Sequence, residues 1–168
     1  EYIVGRPGSE PDFRVSTQAG SVRQTERHLH GDPPGDEDLA TLRASVRSIL
    51  HDAIPPDIRA NTEAGVAVAG TATSLAAIDQ RLEPYDSEKV DGYTLEADAI
   101  ERILAELARL PLEERKQVAG LHPDRAPTIV AGAAILLESI LLFGLDALEV
   151  SEADILHGAA LDAASETA

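Results

Sequence analysis

The sequence predicts an α/β domain, and three stretches predict it. Residues 66–69 form a short run of small and β-branched residues that meets Gly70. Thr71, Ala72, Thr73 and Ser74 follow before an apolar helical pattern begins, so the order is strand, tight turn, helix. Residues 1–5 and 12–18 are extended runs joined by turn formers, which reads as a β-hairpin. Residues 129–143 are apolar on every side and end at Gly144, the pattern of a buried helix with a glycine stop.

Taken in order, the hairpin leads to a short helix over 20–30. Ser21 is its expected N-cap, with Thr25 and Leu29 on one face and Arg23, Glu26, Arg27 and His30 near another. Asp32-Pro33-Pro34-Gly35 breaks the chain. Asp36 is then expected to cap a helix with Leu39, Leu42, Val46, Ile49 and Leu50 on one stripe, ending before Pro55-Pro56. A polar bend reaches the strand at 66–69, whose small residues suit a central position in a sheet. The turn after it reads in two ways. Its first N–H groups and the positive end of the helix dipole make a seat for an anion, or Thr71 or Thr73 simply caps a structural helix.

Residues 83–92 read as a loop, and Thr94 as the cap of a helix with Ile100, Ile103, Leu104 and Leu107 inward, ended by Pro111. A short charged piece follows over 112–118, and residues 124–127 are expected to open the apolar helix. Residues 145–150 read as a strand and 154–164 as a closing helix, with the tail 165–168 frayed. A hairpin followed by two α/β units fits one lobe of a ribonuclease-H-like fold whose first strand is missing.

Composition narrows the function classes. The 168 residues suit a single domain over 1–168. A formal net charge of -16 argues against a broad nucleic-acid surface, although a few of the arginines, which outnumber lysines twelve to two, can set the potential of a local cleft. With no cysteine there is neither a disulfide frame nor thiolate chemistry, which suits a cytoplasmic location. The longest apolar stretch contains Glu138 and falls short of the ~20 residues of a bilayer span, so no membrane partner is expected. His28 and His30, two apart on a helix, point in different directions and make a poor zinc pair. Methionine is absent even at position 1, where the chain already reads as strand, so a trimmed piece that begins inside a fold is expected.

Several blocks occur in a telling order: Gly20 to Arg23 with Thr25-Glu26-Arg27; Gly65 to Ala76; Tyr85-Asp86 ahead of Val90 to Tyr93; Pro123 to Ala126 with Ile129 to Ala133; and Val150 to Gly158. Together they resemble the exopolyphosphatase/guanosine pentaphosphate phosphatase (Ppx/GppA) family, from Glu1 to about Ala160. The likeness is to its short, two-lobe actinobacterial type. It implies the second, C-terminal lobe of the actin-like fold of sugar kinases, Hsp70 and actin. It also implies a Mg²⁺-dependent hydrolase that releases terminal phosphate from polyphosphate or guanosine pentaphosphate across a cleft shared with an N-terminal lobe. In the family the base is a glutamate of that other lobe, and the glycine-rich phosphate loop would end just before Glu1. Glu1 is then a candidate for holding Mg²⁺ through water. The resemblance assigns phosphate contacts to Ser21, Arg23, Gly70, Thr71, Ala72 and Thr73, and Arg125 matches a family arginine read here as structural.

Phosphoryl transfer to water needs charge neutralisation and a positioned water more than a protein nucleophile, and no Ser-His-Asp or Cys-His set is identifiable. An isolated lobe is therefore expected to be inactive. A nucleotide- or polyphosphate-binding sensor of the same fold that has lost hydrolysis, and a lobe of an actin-like ATPase or sugar kinase, are the alternatives. A homodimer is compatible with the apolar surface that an isolated lobe bares, with no sequence feature that fixes it.

Overall fold

The computed structural model describes residues 1–165, so the expected frayed tail lies outside the described residues except for Ser165, which closes the last helix. Strands β1 (Tyr2–Val4) and β2 (Phe13–Val15) form the hairpin, with Ile3 opposite Arg14. Helices α1 (Ser21–His28), α2 (Asp36–Ala53) and α3 (Pro56–Ala60) lead to β3 (Val66–Val68) and α4 (Ala69–Asp79). Then come α5 (Ser87–Val90), β4 (Thr94–Glu96), α6 (Ala97–Arg109) and α7 (Leu112–Arg115). A 3-10 turn (Pro123–Arg125) precedes α8 (Ile129–Phe143), β5 (Ala147–Ser151) and α9 (Ile155–Ser165). The second sheet has the order β3-β5-β4, with β3 parallel and β4 antiparallel to β5.

Helix α8 is the hub, because its apolar residues run right round it and α1, α2, α4 and α6 all pack on it. Leu42, Val46 and Leu50 of α2 and Ile100, Ile103 and Leu107 of α6 meet Leu137 and Ile140 of α8 in one core. Full burial of each such large side chain stabilises by roughly 1.5 to 3 kcal/mol. The acid inside this helix is neutralised by two arginines of α2. Glu138 is 2% exposed, and its carboxylate accepts from Arg43 Nε at 2.6 Å and Arg47 Nε at 2.9 Å, so the buried charge ties α8 to α2. Tyr2 ties the hairpin to the same helix, its hydroxyl 2.7 Å from Ser139 Oγ and its ring stacked on Phe143.

Several expectations are corrected. Residues 66–69 do not form a central strand: β5 occupies the centre, β3 lies at the edge, and its Val66 and Val68 are 63% and 50% exposed. The helix starts at Ala69, which places Thr71 and Thr73 inside it, and no side chain caps it. Ser21 and Asp36 are first helical residues rather than caps, since the extended glycines Gly20 and Gly35 precede them. Thr94 belongs to β4, which exists because it pairs with β5, Leu95 opposite Leu148. The apolar helix opens at Ile129, because residues 123–125 close a separate 3-10 turn. The polar bend, the loop and the charged piece each contain a short helix, α3, α5 and α7.

All three tyrosines are held neutral beyond their ordinary range. Burial raises Tyr2. Burial first, and then a hydrogen bond to a carboxylate, pushes Tyr85 (to Glu152) and Tyr93 (to Asp79) up to about 12. A raised phenol contributes stability that is complete below the unfolded value of about 10 and is lost as pH rises through the folded value. Spectrophotometric titration of the folded chain is expected to show Tyr85 and Tyr93 not ionising near pH 10 and Tyr2 ionising later than in the unfolded chain, while in urea all three titrate near 10. Two or more phenols ionising near pH 10 in the folded chain refute it.

Candidate functional site

A groove of about 550 Å³ runs between the hairpin and β3, floored by α8. Two helices begin on it. Ser21, first residue of α1, and Thr71 and Ala72, in the first turn of α4, all line the groove, as does Glu1. Neither helix has a side-chain cap or an acidic residue in its first turn, so the leading N–H groups of both keep their partial positive charge. The structure thus brings Glu1, Ser21, Thr71 and Ala72 to one recess. It does not bring Arg23 there, which is exposed on α1 and is not among the groove walls.

The turn into α4 differs in detail from the sequence reading. A helix opening at Ala69 leaves the N–H groups of residues 68–71 without intrahelical partners, whereas those of Ala72 and Thr73 reach back to the start of the helix. Ala72 and Thr73 are buried, and the Thr73 hydroxyl lies beside the Tyr85 phenol, which itself donates to Glu152. The donors open to a ligand are therefore those of residues 69–71, one position earlier than the assigned set. Ala69 carries the sharp change of direction with φ of 70°, a left-handed conformation costing a non-glycine residue roughly 1 to 2 kcal/mol. An alanine gives no sequence signal for that.

Gly70 has a different task. The Arg125 guanidinium lies where a Cβ on Gly70 would stand, so only glycine lets this cation rest against the turn. Arg125 is placed by the 3-10 turn at 123–125, and none of the carboxylates among the described residues pairs with it. It packs on its own domain's backbone with its charge unneutralised, at the open end of α4. Sequence reasoning placed Arg125 at a helix start but had no means of seeing it cross to Gly70. Chemically, the arrangement offers backbone N–H groups, hydroxyls and a planar guanidinium to an oxyanion.

No group of three His, Asp or Glu side chains that could hold a metal occurs among the described residues. A lone carboxylate, Glu1, does not supply the octahedral oxygen set that Mg²⁺ demands, so the residues present do not by themselves fit this ion. No helix among the described residues is long and apolar enough to cross a membrane.

Comparison with known proteins gives a consistent picture. The model of the Ppx/GppA phosphatase family matches residues 1–166. The chain is 34% identical over 169 residues to Exopolyphosphatase 2 of Mycobacterium tuberculosis, covering 98% of this chain and 52% of that protein. It is 30% identical over 142 residues to Exopolyphosphatase 1 of Mycobacterium bovis, covering 84% and 41%. The crystal structure of the Aquifex aeolicus Ppx/GppA family member superposes with a TM-score of 0.85 at 28% identity, over 96% of this chain and 52% of that one. The chain spans about half the length of the relatives it matches, and its fold is that of the actin-like phosphatases among them.

Proposed function

The chain belongs to the Ppx/GppA phosphatase family, and from that premise we propose that it is the C-terminal lobe of a hydrolase that releases terminal phosphate from inorganic polyphosphate by water attack. The observation that carries this reading is the uncapped start of α4, with Arg125 seated on Gly70, beside a groove onto which α1 also opens. Positive partial charge from two helix starts and one unpaired guanidinium fits a chain of phosphates better than it fits any neutral substrate. The residues in that role are Arg125, the backbone of residues 69–71, Ser21 and Thr71. They bind and orient phosphate oxygens and neutralise their charge, and the base that activates water is assigned to a lobe outside these residues. Guanosine pentaphosphate presents the same oxygens and is a second candidate substrate. Mg²⁺ enters the proposal only as the counterion that such phosphates carry, and no step is routed through it.

Binding of tripolyphosphate to the 168-residue chain, followed by calorimetry, tests the assignment. Arg125→Ala and Gly70→Val are each expected to weaken it about fivefold or more, in keeping with about 1 kcal/mol for a partly exposed charged contact. Gly70→Val acts by displacing the Arg125 guanidinium, so the double substitution adds little to either single one. Unchanged affinity in both variants would remove the proposed seat. Phosphate release by this chain alone, with Mg²⁺ present, would overturn the placement of the base in another lobe.

A further inference from the structure

The turn that carries Arg125 is itself closed by an imidazole. It begins at Pro123, which has no N–H, and the Arg125 N–H is taken by His122 O at 2.9 Å. The main-chain donor left over at its start is that of Asp124, and His122 Nδ1 accepts it at 3.3 Å. His122 is therefore the N-cap of the turn whose last residue lies against Gly70. A hydroxyl or amide oxygen accepts such a bond at any pH near neutrality, whereas an imidazole nitrogen accepts only while it carries no proton. Protonation turns Nδ1 from acceptor into donor and sets it against the Asp124 N–H.

We propose that His122 is a positioning residue: its neutral ring closes the turn and so holds the Arg125 guanidinium against Gly70, and its protonation lets that guanidinium leave. The surroundings offer the protonated ring one acid. Among the described residues Asp124 is the carboxylate that pairs with it, Oδ2 lying 3.8 Å from Nδ1, and a ring that turns to this oxygen gives up the main-chain bond. The turn packs on α4, whose one charged residue, Asp79, lies at the far end and is held by Tyr93 and Arg102. Arg81 follows just beyond that end. On the other side Arg115 donates to Ala126 O and pairs with Asp32. The His122 side chain is 71% exposed, so solvent delivers the proton and salt screens the new charge. Loss of the cap acts within the turn itself, and it sets the sign: acid weakens the seat. The link to phosphate rests on the binding role proposed above for Arg125, while the link from His122 to Gly70 does not.

The Gly70 amide resonance is the reporter, since the guanidinium stands on that residue. In the parent chain it is expected to move between about pH 8 and about pH 5, the range in which histidine changes charge. In His122→Asn, whose amide oxygen caps at every pH, it is expected to keep its high-pH position, and in His122→Ala its acid position. Arg125→Ala is expected to abolish the movement. Tripolyphosphate affinity is measured alongside, and dividing the parent value by that of His122→Asn cancels the titration of the ligand. That ratio is expected to fall at least about threefold from pH 8 to pH 5.5, the low end of what a lost N-cap costs. A Gly70 resonance that does not titrate in the parent, or titrates equally in His122→Asn, overturns the proposal. A ratio that stays flat or rises toward acid while Arg125→Ala weakens binding also overturns it, a rise marking His122 as a phosphate contact in its own right. Where Gly70 titrates as expected and Arg125→Ala leaves the affinity unchanged, the positioning role stands and the phosphate seat is lost.

Discussion

Replacing Arg115 with methionine is expected to lower the unfolding free energy by about 3 to 5 kcal/mol, more than the loss of any surface ion pair would. Arg115 is 4% exposed, and its guanidinium donates to three main-chain carbonyls: Leu107 O at 3.0 Å, Leu110 O at 2.7 Å and Ala126 O at 3.2 Å. Two of these close the end of α6, where a helix has carbonyls to spare and a cation is favoured. The third belongs to the segment that starts α8. One side chain therefore joins the end of one core helix to the beginning of another. Burial pulls the Arg115 pKa down, and the Asp32 carboxylate 3.8 Å away pushes it back up. Methionine keeps the length of the stem and removes every donor, leaving Leu110 O and Ala126 O without this partner and Leu107 O with only the Leu110 N–H at 3.3 Å. Lysine restores the charge but not the fork and is expected to recover only part of the loss. Urea unfolding of the three proteins measures this, and a methionine variant within about 1 kcal/mol of the parent would contradict it.

Arg115 also shows where the sequence stops being informative. The apolar body of α8 and its C-terminal end are legible because apolar residues on all sides and a glycine stop are local signals, and Gly144 does adopt the left-handed conformation, with φ of 66°. The stripe of α2 and the hairpin are legible for the same reason. What cannot be read is anything decided by a distant partner. Arg115 looks like one charge of a solvated run until Ala126 and Leu107 fold around it, and Thr94 looks like a cap until β5, more than fifty residues later, pairs with β4. The edge position of β3 depends on which strand takes the centre, and small residues in Val66–Val68 do not say that β5 does. In the candidate site the blocks that resemble the family include the turn into α4. They did not show that Ala69, not Gly70, bears the positive φ, nor that Gly70 is needed to make room for Arg125.

Gly120 is expected to be the costliest glycine to replace. Its φ is +86°, which an alanine enters at roughly 1 to 2 kcal/mol, and a Cβ built there runs into the main chain of Ala77 and comes 2.7 Å from Ile78 N. Those are atoms of α4, and unlike the end of a flexible side chain they cannot swing aside. Gly120→Ala is therefore expected to cost about 3 kcal/mol or more, because the alanine must either distort its own turn or push α4 off its seat against α8. Gly8 supplies the control. Its φ is +76°, and a Cβ there meets nothing within 4 Å, so Gly8→Ala carries the conformational cost alone. The difference between the two variants in urea unfolding isolates the collision, and equal losses would mean that Gly120 is retained only for its φ. Because α4 also presents the open N–H groups at its far end, Gly120→Ala is expected to weaken tripolyphosphate binding even under conditions where the chain stays folded, and Gly8→Ala is not.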